Sequence, residues 1–144
     1  MSDQKSNKQS MVLATENELP DLVRWYLSLK RHPILLLSGD LGAGKTAFVK
    51  ALLQHLGTSD AVSSPSFSIV NQYELLNGEI IYHMDLYRLE TMEEAFNTGL
   101  EEYLYSGDTC LIEWPQIILD YIEEPYHQMD IEILKYGSRK FTLI

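Results

Sequence analysis

Apolar residues recur along the chain in two rhythms, and their alternation lays out an α/β domain. Met11-Val12-Leu13-Ala14 is a short candidate strand. Thr15 and Glu18 follow with the spacing of a capping box, whose hydroxyl and carboxylate satisfy free backbone N–H groups at a helix start. Leu19, Leu22, Val23, Tyr26 and Leu27 then recur at helical spacing and predict one buried face. Pro20 falls in the first turn, where its missing N–H is not needed. Ile34-Leu35-Leu36-Leu37 is a continuous apolar run ending in Ser38-Gly39, as in a parallel strand buried on both faces. From Gly44 to about Leu56, the positions Phe48, Ala51, Leu52 and Leu56 predict a second helix, closed by Gly57.

The second half reads in shorter elements. Phe67 to Tyr73 and Glu79 to Asp85 are strand-like, and Asn77-Gly78 between them predicts a hairpin with a type I′ turn, since both residues tolerate positive φ. Thr91 to about Tyr105 reads as helix interrupted near Gly99. Cys110-Leu111-Ile112-Glu113 is a buried strand stopped by Pro115, and Ile117 to Ile122 a brief helix. Met129 to Lys135 and Lys140 to Ile144 alternate around Tyr136-Gly137-Ser138, predicting a closing antiparallel pair. The expected fold is a single three-layer α/β domain over residues 11–144, with a mixed, partly parallel sheet and antiparallel C-terminal strands. The polar segment Met1 to Ser10 is expected to be a disordered tail.

Composition narrows the setting. A chain of 144 residues supports one core rather than two. No apolar run approaches the roughly 20 residues a membrane span needs, and the first ten residues lack the apolar centre of a secretory signal. The single cysteine, Cys110, excludes an internal disulfide and a cysteine-based zinc cluster, so a reducing cytoplasm is the expected home. The net charge of −10 is uneven: between Lys50 and Lys135 stand sixteen acidic residues and one Lys or Arg, Arg88. Affinity for nucleic acid comes mainly from basic side chains that neutralise phosphates, so tight direct binding is disfavoured. Two readings of the acidity stand, solubility and a basic protein partner.

The chemistry gathers on Gly39-Asp40-Leu41-Gly42-Ala43-Gly44-Lys45-Thr46, which matches the P-loop pattern in full. Its glycines permit close approach of the backbone, and successive N–H groups with the positive end of the following helix face phosphate oxygens. Lys45 adds a charge that reaches the β and γ phosphates, and Thr46 offers a hydroxyl to magnesium. The motif has the context it requires, an apolar strand before it and an amphipathic helix after.

A P-loop also needs a carboxylate for the metal, usually at the end of a neighbouring hydrophobic strand. Glu113 holds that position and is the favoured magnesium residue; Trp114 after it packs beside the site or fills core. Alternation puts Ile81, His83 and Asp85 on one strand face, with Asp85 at the carboxyl end where ligands bind in α/β sheets. Asp85 is a candidate to order the attacking water or a magnesium-bound water; as a turn residue it would cap Leu86-Tyr87-Arg88. His83 reads as packed or hydrogen-bonded rather than catalytic. Arg88 is open between an arginine finger and a structural ion pair, with the ion pair slightly favoured. Ser63-Ser64-Pro65-Ser66 occupies the place of a switch loop, and a plain Ser/Pro turn competes with that reading.

Small-molecule kinases generally clamp the transferred phosphate with several Arg or Lys residues and a lid, and this chain offers little of either. A GTPase would carry Asn-Lys-x-Asp after the second carboxylate, but the one Asn-Lys pair, Asn7-Lys8, precedes the loop. Slow ATP hydrolysis completed by a partner is the favoured reading, with a small P-loop kinase phosphorylating a metabolite and a non-hydrolysing nucleotide sensor as the alternatives.

Together these blocks resemble the TsaE family, bacterial P-loop ATPases of tRNA threonylcarbamoyladenosine formation. The P-loop, Ser64-Pro65-Ser66-Phe67, Tyr82-His83-Met84-Asp85-Leu86-Tyr87-Arg88-Leu89 and Leu111-Ile112-Glu113-Trp114-Pro115 look like that family's motifs in order and spacing, from about Val12 to the C-terminus. The resemblance implies an accessory ATPase that binds a TsaD–TsaB pair during modification of adenosine 37 in certain tRNAs, the transfer itself belonging to TsaD. It implies ATP and Mg²⁺ as cofactors, Gly39, Asp40, Gly42, Ala43, Gly44, Lys45 and Thr46 on the phosphates, and Thr46 and Glu113 on the metal. Lys45, Asp85 and Glu113 would be catalytic, and Thr15 would approach the base. Two positions depart from the family pattern: Ser66 stands where Thr is common, and Ala47 where a second Thr often follows the P-loop.

Overall fold

The apolar run Ile34–Leu37 forms the middle of the sheet. The computed structural model describes residues 8–58, 62, 65 and 69–144. Strand β1 (Gln9–Leu13) leads through a 3-10 turn into helix α1 (Leu19–Leu29), and β2 (Ile34–Gly39) leads into α2 (Lys45–Leu56). There follow β3 (Val70–Glu74), β4 (Ile80–Asp85), α3 (Met92–Asn97), α4 (Leu100–Tyr105), β5 (Thr109–Glu113), β6 (Tyr126–Ile133) and β7 (Arg139–Leu143). The seven strands form one sheet in the order β1-β7-β6-β2-β5-β4-β3. Four neighbours, β6, β2, β5 and β4, run parallel, whereas β7 and β1 at one edge and β3 at the other are antiparallel. The sheet is mixed and the C-terminal pair antiparallel, as the pattern implies.

Alternation along β2 divides the core into two layers. Leu35 and Leu37 pack with Leu22, Val23 and Tyr26 of α1 and with Phe48 and Leu52 of α2. Ile34 and Leu36 face the opposite side, against Ala95, Leu100, Leu104 and Ile118. On the first face Tyr26 and Phe48 meet edge-on at 5.6 Å between ring centroids, a geometry that adds about 1 kcal/mol to simple burial.

Most predicted elements occur where the pattern puts them, and five details differ. β6 runs Tyr126–Ile133 rather than Met129 to Lys135. β1 begins at Gln9 rather than Met11. Strand β3 starts at Val70, because Ile69 has a φ of +66 and cannot extend the strand; Phe67 and Ser68 lie outside the described residues. The β3–β4 hairpin does not use a type I′ turn, since Asn77 has no positive φ. Instead Gly78 N donates to Leu75 O (2.9 Å) and Leu75 N to Glu79 O (2.8 Å), with Gly78 at φ +92. That is a three-residue loop with a left-handed glycine at the bulge. The helix expected at Ile117–Ile122 is a 3-10 turn over Pro115–Ile118, started earlier by proline at its first position.

Candidate functional site

The chain leaves the carboxyl end of β2 at Gly39, and parallel pairing brings two acidic residues to the same edge. Asp85 at the end of β4 lies in register with Glu113 at the end of β5, and Glu113 with Leu37 of β2. Elements far apart in the chain thus meet at the mouth of the P-loop, the place where α/β sheets bind ligands.

Within the loop, Gly39 must lack a Cβ, because one would sit 2.7 Å from the carbonyl oxygen of Ile131 on the adjoining strand. Gly44 has open space but a φ of +121, a backbone conformation that L-residues rarely adopt. Lys45 opens α2, and its Nζ donates to the carbonyls of Gly39 (2.6 Å) and Asp40 (3.0 Å). The ammonium also lies 4.0 Å from the centre of the Trp114 ring, within range of a cation–π contact. Burial pushes the Lys45 pKa down, against the pull of Glu113, Asp85 and Asp40. Asp40 takes part through its carbonyl, which also accepts from Ala43 N (2.9 Å).

Thr46 Oγ1 donates to the Glu113 carboxylate, 3.2 Å from Oε1 and 3.1 Å from Oε2. Glu113 is buried, and its Oε2 lies 2.5 Å from Nε2 of His83, itself fully buried. Among the described residues no three carboxylate, imidazole or thiol groups converge as a metal cage. The Thr46 hydroxyl and Glu113 carboxylate supply hard oxygen donors, which suit magnesium when it shares its remaining positions with phosphate and water. Asp85 is half-buried, with Oδ1 accepting from Tyr87 N (3.0 Å). Burial raises its pKa above the ordinary value; the Tyr87 N–H opposes that shift, Glu113 adds to it, and His83 and Lys45 oppose it. Its backbone N–H donates to Ile69 O (2.9 Å), tying the exit of the 63–68 segment to the acidic edge. Ser63, Ser64 and Ser66 lie outside the described residues.

A cleft on the other flank of the loop is lined by Thr15, Gly42, Ala43, Gly44, Ala47 and Arg139 among others. Thr15 sits there because Glu18 Oε1 accepts from the backbone N–H groups of Ala14 (2.8 Å) and Thr15 (3.1 Å), closing the joint into α1. Arg139 bridges two walls, its Nε donating to Ala43 O (2.9 Å) and Nη1 to Gly137 O (2.5 Å).

Lys45, Thr46, Asp85 and Glu113 therefore gather at one point, while Thr15 joins Gly42, Ala43 and Gly44 at a second, adjoining one. Arg88 is exposed just beyond Tyr87. Of Trp114's two readings, the structure gives the one beside the site: its ring packs at a tilt against Tyr87, 4.8 Å between centroids, and its backbone is left-handed at φ +55. Sequence reasoning missed Arg139 altogether and gave His83 no link to Glu113. Strand alternation puts His83 on the same face as Asp85, but the link to Glu113 depends on the pairing of β4 with β5.

A strand-loop-helix at the carboxyl edge of a three-layer mixed sheet, with its lysine, threonine and facing glutamate, defines a P-loop domain. Comparison with known proteins narrows this to one family. A sequence model described as threonylcarbamoyl adenosine biosynthesis protein TsaE matches residues 13–141, and the chain belongs to the TsaE family. The tRNA threonylcarbamoyladenosine biosynthesis protein TsaE of Rickettsia felis is 38% identical over 136 residues, covering 93% of this chain and 78% of the relative. The protein of the same name from Rickettsia bellii is 37% identical over 138 residues, covering 94% of each. The crystal structure of YdiB from Bacillus subtilis superposes with a TM-score of 0.75 at 28% identity, covering 94% of this chain and 84% of that one. No helix among the described residues is long and apolar enough to cross a membrane.

Proposed function

We propose that this chain is an accessory ATPase of tRNA threonylcarbamoyladenosine formation, acting in the cytoplasm with TsaD and TsaB. The observation that carries the reading is the Thr46–Glu113 contact at the mouth of the P-loop, with Asp85 in register beside it. Backbone N–H groups from Gly39 to Thr46 hold the triphosphate, Thr46 and Glu113 hold Mg²⁺, and Asp85 orients the attacking water. Bound Mg²⁺ supplies charge neutralisation of the phosphate oxygens. Thr15 and Arg139 border the space left for base and ribose, and the Ala47 methyl leaves that wall open.

The contacts of Lys45 support low activity in the chain alone. Its ammonium is held by two loop carbonyls and an indole face, contacts that compete with phosphate and whose release would free it. A partner that engages the exposed ring of Tyr87, which packs against Trp114, would favour that release.

The decisive experiment measures ATP hydrolysis by the chain alone and with TsaD–TsaB, for wild type, Lys45→Ala and Glu113→Ala. Low basal turnover, stimulation by partners, and a loss on the order of a hundredfold in each variant are expected. Transfer of phosphate to a metabolite instead of water would make the chain a kinase. Tight ATP binding without turnover under any condition would make it a sensor.

A further inference from the structure

His83 is fully buried on β4, yet its one polar contact among the described residues is Nε2 to Glu113 Oε2 at 2.5 Å; Nδ1 has no partner there. A ring placed only to fill core would be better served by a hydrocarbon, because a buried polar group without partners costs free energy. The reason for an imidazole here lies in Glu113. That carboxylate ends in a soft torsion with broad minima, so burial alone does not fix where its oxygens point. An ionised carboxylate only accepts hydrogen bonds, so the ring must donate through Nε2–H. The bond pins Oε2 while both oxygens stay within 3.2 Å of the Thr46 hydroxyl.

Backbone geometry fixes this arrangement. His83 pairs with Leu111 and Asp85 with Glu113, so His83 and Glu113 are diagonal neighbours on one sheet face. The same strand then presents Asp85 two residues further on.

We propose that His83 is a positioning residue that holds the Glu113 carboxylate turned toward Thr46, and so sets how much magnesium tightens the hold on a nucleoside triphosphate. The inference rests on the assignment of Glu113 to the metal. Hydrogen-bond partners behind metal ligands commonly govern affinity by about 10–100-fold.

The test measures the affinity of a fluorescent ATP analogue in EDTA and in saturating Mg²⁺, after thermal melting has shown each variant to be folded. In His83→Leu the metal-free affinity should stay within about twofold of wild type, while the gain on adding Mg²⁺ falls at least about tenfold or disappears. His83→Gln, whose side-chain N–H reaches the place of Nε2–H, should recover most of that gain. His83→Asn, one bond shorter, should not, and this pair decides the matter if His83→Leu does not fold. A full magnesium gain in His83→Leu, or identical behaviour of Gln and Asn, would overturn the proposal. A parallel fall in metal-free and magnesium-bound affinity would also sink it, because that is the mark of a merely structural role. Glu113→Gln separates the two layers of the argument: if it keeps the wild-type gain, the assignment of Glu113 to the metal fails.

Discussion

Asp85 and Glu113 stand in register at one sheet edge, yet their surroundings differ. Glu113 is enclosed by Thr46 and His83, whereas Asp85 is half-buried with one backbone N–H on its carboxylate. Burial raises the Asp85 pKa, so the folded chain binds that proton more tightly than the unfolded chain does. The charged carboxylate therefore costs stability above its native pKa, and the cost fades as pH falls toward the ordinary value of 3.8. Asp85→Asn, which keeps an oxygen for Tyr87 N–H, is expected to melt at a higher temperature than wild type near pH 7 and to lose turnover. Melting curves from pH 7 down to about pH 4 should show the difference closing; a variant less stable at neutral pH would contradict this. The loop Gly39–Thr46 was legible because its chemistry lies in eight consecutive residues. The bond from His83 to Glu113 was not, because it depends on the register of β4 against β5, which no local pattern specifies.

Elements were read well where a local rule fixes them. Helix α2 ends at Gly57 in the left-handed conformation, and α3 and α4 are separated at Gly99, which has a φ of +86. The hairpin at Asn77-Gly78 was legible as a reversal but not as a turn type, because Gly78 alone supplies the positive φ and Leu76 is drawn into the loop. The entry to α1 is the element whose loss reaches the site most directly. Glu18 accepts two backbone N–H groups at that joint, and Thr15 beside it lines the cleft along the P-loop. Glu18→Ala should cost about 1 kcal/mol, roughly 4 °C in Tm at this size. It should also weaken nucleotide affinity equally with and without Mg²⁺, since the joint lies on the flank away from Glu113. Calorimetry and analogue binding check both parts; a selective loss of the magnesium-dependent share would contradict the second.

At the scale of the molecule, strand order makes the site. β7 lies beside β6, which pairs with β2, so Arg139 reaches the carbonyl of Ala43 across 96 positions of sequence. Hydrophobic pattern gave the strands but not this order, and Arg139 stayed invisible for that reason. Charge was legible from sequence, because a count needs no fold: 51–134 carries sixteen acidic residues and Arg88 as its one Lys or Arg. If that surface meets a basic face on TsaD–TsaB, association should weaken steadily as salt rises from about 0.1 to 1 M, where the screening length shrinks from about 10 to 3 Å. Affinity that holds constant over the range would remove electrostatics from the account.

The indole over Lys45 has an optical consequence. The chain holds two tryptophans, Trp25 on α1 and Trp114, and the Trp114 ring carries an ammonium 4.0 Å from its centre. Triphosphate that draws Lys45 toward itself strips that charge from the chromophore. Trp25→Phe therefore leaves a single indole, whose emission under tryptophan-selective excitation would report nucleotide arrival without an added dye. Its emission should shift on titration with ATP, and Lys45→Met in the same background should silence the signal. Such a shift would time the step at which the lysine moves from the indole to the nucleotide.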